Sequence, residues 1–279
     1  MSDARIASLH VYPVKGLAGV APAFATVAVT GLVTEGAGDR EWMVVDSDGR
    51  FVTQREFPRM SLVHTQLSDG TLTLRASGRE PLQMRSNGGV ARDVVVWRSN
   101  VRGFDQGDAA AAWISSWLSA DLRLVRFDHS LQRPCNPDFG GDSGAHTMFA
   151  DGYPLLVIGQ ASLADLNDRL AKRNEPPLPM NRFRPNIVLS GLPPFAEDHV
   201  DTFTIGEVVL RAVKPCVRCQ VTTTDQGSAA VGIEPLRTLG EFRMDERMGG
   251  VTFGMNAIVV EGAGSTIAPG ADVAVDYRL

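Results

Sequence analysis

Short segments in which apolar and polar residues alternate, separated by glycine-containing turns, constrain the fold of this chain more than any other sequence feature. The turn Asp46-Ser-Asp-Gly49 separates two such segments and predicts a β-hairpin, because glycine readily supplies a positive φ. Ser68-Asp-Gly70 predicts a second hairpin in the same way. The same pattern predicts strands at 6–11, 25–29, 42–46, 50–53, 62–67, 71–76, 81–85, 92–97, 155–158, 187–189, 202–205, 207–213, 220–224, 254–260 and 272–277. Many short strands at this spacing are typical of a β-barrel or sandwich.

Helical periodicity is confined to a few segments, so the predicted fold class is mainly β with some α (α+β). Helices are predicted at 106–119, 161–173 and 235–239. In the second of these, Ser162 and Asp165 have the spacing of a capping box. The segment 132–148 is rich in Pro, Gly, Asn and Asp, which predicts a flexible loop or a link between two halves of the chain.

Composition excludes several classes of protein. The 279 residues allow one large domain or two ordinary ones, and 44% hydrophobic residues are normal for a globular protein. A net charge of -5 without a Lys/Arg block argues against nucleic-acid binding. Three cysteines are too few for a disulfide framework. Residues 1–10 lack the apolar centre of a signal peptide, and no apolar stretch is long enough to span a membrane, so we expect a cytoplasmic protein that makes no membrane contact.

Two of the cysteines lie in the segment Lys214-Pro-Cys-Val-Arg-Cys219, three positions apart and beside two cations. Positive charge favours the thiolate, which is the form that attacks electrophiles or binds soft metals. Three alternatives stay open. The pair is half of a zinc site whose other ligands are not evident, a redox dithiol that would need to begin a helix, or two buried inert cysteines.

Cationic turns suggest anion binding. Arg182, Arg184 and Asn186 lie just before an apolar strand, and a guanidinium matches the geometry of a phosphate. Lys15 is followed by Gly16, which lets backbone N–H groups approach an anion. The alternative for each is an ordinary solvated surface loop.

Three further positions carry weaker signals of the same kind. Arg40 precedes a predicted strand and Arg55 follows one. Asp151 precedes a glycine, so it either forms a turn or, beside a metal, moves protons. A thiolate beside anion-binding groups suits a cofactor that carries both a metal and a phosphate.

Together these segments resemble the MOSC family, the molybdenum-cofactor sulfurase C-terminal domain proteins, and within it the amidoxime-reducing components. The last two of the matching stretches are the most specific, and all of them occur in the family's order. They are YPVKG (12–16), GDREWMVVD (38–46), TQRE (53–56), QASLADLN (160–167), NRFRPNIVLSG (181–191) and KPCVRCQVTTTD (214–225).

The resemblance implies a MOSC N-terminal β-barrel-like domain at 1–125, a MOSC domain at 126–279, and a molybdenum cofactor (Mo-molybdopterin) bound between them. It implies that Cys219 is the molybdenum ligand, that Cys216 is only its neighbour, and that Asp151 is the acidic residue of the catalytic site. The implied contacts to pterin and phosphate fall on Lys15, Gly16, Arg40, Arg184, Asn186, Val217 and Arg218. At Gly16 and Val217 the amidoxime-reducing components carry serine, so two hydroxyl groups are missing here.

The activity implied by the resemblance is reduction of N-hydroxylated compounds such as amidoximes, hydroxylamines and N-hydroxylated bases. Alternatives are a persulfide sulfur carrier that uses Cys219 and a module that binds molybdopterin and passes it on. The chain has no cysteine after Cys219 and no GxGxxG stretch. We therefore expect a separate electron donor, a ferredoxin- or flavin-type reductase.

Overall fold

Strands dominate the structure, a computed structural model that describes residues 3–85 and 88–278. In chain order they are β1 (Arg5–Leu9), β2 (Ala25–Ala28), β3 (Gly31–Thr34), β4 (Ala37–Gly38), β5 (Trp42–Val45), β6 (His64–Ser68), β7 (Thr71–Arg75), β8 (Leu82–Arg85), β9 (Val90–Val96), β10 (Ser99–Asp105), β11 (Arg123–Phe127), β12 (Arg133–Pro134), β13 (His146–Thr147), β14 (Leu155–Gly159), β15 (Ile187–Ser190), β16 (Val200–Ile205), β17 (Val208–Val217), β18 (Met244–Asp245), β19 (Gly250–Glu261), β20 (Thr266–Ile267) and β21 (Ala274–Tyr277). The predicted mainly β fold is confirmed.

The helices are short and few within the described ranges. The α-helices are α1 (Asp108–Leu118), α2 (Pro137–Gly140), α3 (Gln160–Ala171) and α4 (Leu236–Gly240). Single 3₁₀ turns lie at Pro58–Leu62, Met180–Arg182, Ala196–His199 and Gln220–Thr223.

The largest sheet has the strand order β1-β15-β14-β19-β17-β16-β21, with β18 also paired to β19. Its pairs are antiparallel except for β14 and β15, which are parallel and are connected through α3. Smaller sheets have the orders β5-β11-β10-β9, β20-β2-β3-β4 and β6-β7-β8, and β12 pairs with β13.

The two ends of the chain exchange strands. β1, from the amino terminus, pairs with β15 at the edge of the largest sheet, and β20, from the carboxyl end, pairs with β2. Each half of the chain therefore completes a sheet of the other. The division between residues 125 and 126 stays a prediction.

Alternation along β14 shows how the largest sheet is held between two cores. Leu155 and Val157 face a core shared with β1 and β17. Leu156 and Ile158 face the opposite side, where they pack with Leu166 of α3. The strand is buried on both faces, as its continuous apolar sequence predicts.

The β6–β7 hairpin forms as predicted, with positive φ at Asp69 and Gly70. Gly49 also has a positive φ, of 76°. Beyond the first turn, however, the predicted strand at 50–53 is reduced to single bridges such as Val45 to Phe51. The segment 132–148 is not featureless, because it contains α2 and the β12–β13 pair.

Two local predictions are wrong. Gln220–Thr223 is a 3₁₀ turn rather than a strand, because the hydroxyl groups of Thr222 and Thr223 donate to the backbone oxygens of Cys219 and Gln220 and close the turn. The capping box is also wrong: α3 begins at Gln160, and the Ser162 hydroxyl instead binds the buried Glu197 carboxylate. In both cases a short polar side chain uses a local or tertiary partner that periodicity does not register.

No helix in residues 3–85 and 88–278 combines the length and the hydrophobicity that crossing a bilayer requires.

Candidate functional site

A cleft with a cavity volume of about 160 Å³ lies between residues of the amino-terminal and carboxyl-terminal halves of the chain. The amino-terminal half contributes the loop after Tyr12, the turn before β5, the segment after Val45 and the tip of the β9–β10 hairpin. The other half contributes the loop before β14, the turn before β15 and the segment after β17. Each site residue that the resemblance implies lines this cleft: Lys15, Gly16, Arg40, Asp151, Arg184, Asn186, Val217, Arg218 and Cys219.

Lys15 and Asp151 form an ion pair at one side of the cleft. Lys15 is buried, whereas 71% of the Asp151 side chain is exposed to the cleft. The indole Nε1 of Trp97 donates to the same carboxylate oxygen at 3.0 Å. Desolvation by the cleft walls opposes ionisation of Asp151, but the Lys15 ammonium, the Trp97 hydrogen bond and the Arg40 charge together outweigh it and hold the Asp151 pKa well below its usual range. Burial lowers the pKa of Lys15, and Asp151 opposes that shift.

Arg133 fixes the loop that carries Asp151. Its guanidinium is buried and donates to the backbone oxygens of Met148 at 2.9 Å, of Ala150 at 2.7 and 2.8 Å, and of Asp151 at 2.9 Å. Arg133 lies in β12, within the segment that sequence patterns predicted only as a loop. The carboxylate of Asp151 therefore faces Lys15 because a buried cation holds the backbone behind it.

Replacing Arg133 by methionine is expected to lower the free energy of unfolding by about 1.5–3 kcal/mol, because carbonyl groups bound to a charged donor lose it while remaining buried. Equilibrium unfolding in urea measures this change. Arg133→Lys is the matched comparison, since it keeps the charge but not the planar set of donors, and should fall between the two. Unchanged stability in Arg133→Met would show that the loop finds other donors.

Arg40 and Arg184 both lie against the buried ring of Tyr12. The guanidinium carbons are 4.3 and 4.2 Å from the ring centre, respectively. Arg40 forms an ion pair with the buried Asp39 and donates to the backbone oxygen of Arg184 at 3.2 Å. The aromatic ring and the carboxylate thus hold two like charges close together at the floor of the cleft.

The backbone of both arginines is strained. Arg40 has a φ of 50° and Arg184 a φ of 56°, in the left-handed region that bulky residues rarely adopt. Such strain is concentrated at functional sites, where the surrounding structure fixes the conformation. Desolvation by burial lowers the pKa of Arg184 to about 10, so the side chain remains a cation at neutral pH.

The Arg184 side chain has an unused donor in the described structure. Its Nη2 is buried, has no hydrogen-bond partner within the described residues and belongs to a residue that lines the cleft. The Nε of Arg218 is in the same condition. Buried donors are almost always paired in native proteins, so these two indicate a missing acceptor.

The other two members of the turn before β15 have different roles. Arg182 donates to the backbone oxygen of Thr222 at 3.1 Å and pairs with Asp225, and it does not line the cleft. Asn186 lines the cleft, but its amide oxygen accepts from Leu156 N at 3.1 Å and from Arg40 at 3.3 Å. Asn186 therefore positions Arg40 and connects the turn before β15 to β14. One of its two amide N–H groups has no partner among the described residues and can reach a ligand.

The two cysteines of the CxxC segment differ in exposure. Cys219 is exposed at the cleft and lies two residues after the end of β17. Cys216 is only partly exposed, and its Sγ accepts a 2.9 Å hydrogen bond from Arg218. Lys214, which the sequence placed beside them, instead has its ammonium 4.7 Å from the centre of the Phe139 ring. The exposed, unhindered thiol is that of Cys219.

Sequence reasoning missed part of the wall. Trp97 and Phe51 line the cleft, with ring centres 5.1 Å apart, and the Arg55 guanidinium lies 5.1 Å from the Trp97 ring. Arg55 was noted only as a weak signal. For Trp97 the available signal was a tryptophan next to an arginine at the end of the predicted strand 92–97.

Electrostatically, the cleft is a positive site in an acidic protein. Its cationic lining residues among those described are Lys15, Arg40, Arg55, Arg184 and Arg218. Asp39 and Asp151 are the carboxylates paired to them. The arrangement can bind an anion at Arg184 and Arg218. It also presents the Cys219 thiol and the ionised Asp151 carboxylate to a ligand in the cleft.

Comparison with known proteins shows the family of this chain. The MOSC N-terminal beta barrel domain matches residues 3–121 and the MOSC domain matches residues 144–274. This chain belongs to the MOSC family. The resemblance found in the sequence is thereby confirmed.

Curated relatives of this MOSC protein include amidoxime-reducing components. The mitochondrial amidoxime reducing component 2 of Bos taurus is 35% identical over 246 residues, which are 86% of this chain and 72% of the relative. The mitochondrial amidoxime-reducing component 1 of Homo sapiens is 37% identical over 246 residues, 85% of this chain and 72% of the relative. Among solved structures, the YuaD protein of Bacillus subtilis aligns over 99% of this chain and 97% of its own, at 11% identity and a TM-score of 0.43.

Proposed function

We propose that this protein is a molybdenum-cofactor-dependent reductase of N-hydroxylated compounds. The observation that carries the proposal is the cleft itself, in which unpaired guanidinium donors and the exposed Cys219 thiol line one cavity. The relatives suggest the reaction class, since several are amidoxime-reducing components. Because one fold hosts many functions, the substrate is to be established by an activity assay.

The residues of the cleft fit a molybdopterin. The unpaired donors of Arg184 and Arg218 would hold the phosphate, and Arg40 and Lys15 add positive charge beside them. Cys219 would be the protein's ligand to molybdenum, because a thiolate suits a metal that already has sulfur ligands. When bound, the cofactor would supply the two-electron redox chemistry, while the protein orients it and the substrate.

The remaining chemistry falls to Lys15 and Asp151. Reduction of an amidoxime breaks the N–O bond, consumes two electrons and two protons, and yields an amidine and water. Asp151 is ionised and exposed to the cleft, so its carboxylate can accept a hydrogen bond from the substrate and orient it. The buried Lys15 ammonium, paired with that carboxylate, can donate a proton at this wall.

Elemental analysis combined with one activity assay tests the proposal. The protein is produced in a host that makes the cofactor, molybdenum per chain is measured, and benzamidoxime turnover is followed with reduced viologen as donor. One molybdenum per chain with turnover supports the reductase. Molybdenum without turnover indicates a carrier of the cofactor, and a persulfide on Cys219 without molybdenum indicates sulfur transfer.

Electrons are expected to come from a separate protein. The chain has three cysteines in all, fewer than the four thiolates that an iron–sulfur cluster usually takes, and no GxGxxG stretch. Cofactor-loaded protein should therefore show no activity with NADH alone. Activity should appear on addition of a ferredoxin- or flavin-type reductase system or of reduced viologen. Rapid NADH oxidation by the isolated chain, followed by its absorbance, would reveal a nicotinamide site.

A further inference from the structure

Trp97 occupies a backbone position that glycine normally fills. Val96 pairs with Ser99 across the β9–β10 hairpin, so Trp97 and Arg98 are the two residues of the turn. Trp97 has a φ of 56°, and the first position of such a turn favours glycine when φ is positive. A bulky residue held in this conformation points to a role for its side chain.

The indole is aimed at the cleft and not at a core. It lines the cavity, yet 47% of the residue is exposed. Its polar edge donates to Asp151, the carboxylate open to the cleft. The direction of the ring plane is therefore fixed, while much of its surface is free for contact.

Around the indole, the wall is built from flat groups. The Phe51 ring is 5.1 Å away at an interplanar angle of 58°, and the Arg55 guanidinium is 5.1 Å from the indole centre. Arg55 is exposed, so its guanidinium is accessible to a flat ligand at this wall. Aromatic rings and guanidinium planes attract conjugated planar molecules by stacking.

We propose that Trp97 is the specificity-determining residue of this cleft and selects substrates that carry their N-hydroxylated group on a flat conjugated ring, such as aromatic amidoximes. The inference rests on the proposed reductase function and names its substrate class. Since Asp151 is bound to the indole edge, the ring of a stacked substrate would place its N–OH group next to that carboxylate.

The test compares an aromatic with an aliphatic ligand of the same head group. Benzamidine and acetamidine, the reduction products, are titrated calorimetrically into cofactor-loaded wild type, Trp97→Ala and Trp97→Phe. Wild type should prefer benzamidine to acetamidine. This preference should fall about tenfold in Trp97→Ala, and Trp97→Phe should keep most of it because it keeps a ring. Phe24→Ala, which removes an exposed aromatic side chain outside the cleft lining, is the matched control and should match wild type.

Turnover of benzamidoxime and acetamidoxime forms a second arm. The ratio of their kcat/KM values should fall about tenfold in Trp97→Ala and stay near the wild-type value in Trp97→Phe. If wild type reduces neither amidoxime, the proposed function fails, and the titrations still decide the role of Trp97. No preference in wild type, or a preference that survives in Trp97→Ala, overturns the inference.

Discussion

Replacing Cys219 by alanine is expected to remove N-reductive activity, with a loss on the order of 10³-fold or more, because the metal's contribution amounts to several kcal/mol. Cys219 is the exposed thiol at the cleft, whereas Cys216 is partly covered and bonded to Arg218. The assay is benzamidoxime reduction with a chemical donor, accompanied by measurement of molybdenum per chain.

Cys216→Ala is the matched control, because it removes a thiol three residues away. It should retain much of the activity, since the variant loses one hydrogen bond to Arg218 and no ligand. Both variants are compared at equal folded fraction, checked by circular dichroism. Loss of activity in Cys216→Ala together with retention in Cys219→Ala would reverse the assignment of the ligand.

Strands with a strong local pattern were predictable from the sequence, and weakly patterned strands were not. The β6–β7 hairpin has clear alternation and a glycine in its turn, and the structure confirms both. β10 and β11 were missed because arginine, asparagine and glycine interrupt their apolar positions. These strands form because they pair with β9 and β5, which is tertiary information that a single segment does not carry.

The pairing of distant segments was beyond sequence patterns for a similar reason. Nothing in the alternation of β1 indicates that it pairs with β15, and β20 is two residues long. The cleft exists because such crossings bring the loop after Tyr12 beside the turn before β15, where Asn186 donates to the backbone oxygen of His10.

For the candidate site, the charged groups could be identified from residue types in the sequence, but their different roles could be distinguished only in the structure. Arg182 and Arg184 are equivalent on sequence grounds, yet the first supports the turn at Thr222 and the second lines the cleft. Arg184 also has a positive φ, a local conformation that the residue type does not reveal. Trp97 and Arg133 were missed because each acts through a partner far away in the chain, Asp151 in one case and its loop in the other.

Replacing Arg184 is expected to have the second large effect, a loss of bound cofactor. If its guanidinium holds the pterin phosphate, Arg184→Ala should weaken cofactor binding by about 2–5 kcal/mol, because truncation leaves a buried anion without its partner. Arg184→Lys should also lower occupancy, since an ammonium cannot reproduce two parallel N–H donors. The unpaired Nη2 of Arg184 is the structural basis for this expectation. Molybdenum and phosphate per chain, measured after gel filtration, provide the readout.

Arg182→Lys makes the comparison specific to the cleft. Arg182 lies two residues away in the same turn and is also buried, but its partners are Thr222 and Asp225. Arg182→Lys should lose some stability, measured by thermal unfolding, and keep its cofactor. Arg184→Ala should instead lose its cofactor. Full cofactor occupancy in Arg184→Ala would place the phosphate elsewhere and leave the strained backbone at Arg184 without its proposed function. Loss of occupancy in Arg182→Lys alone would show that the cofactor is retained by the turn and not by the guanidinium in the cleft.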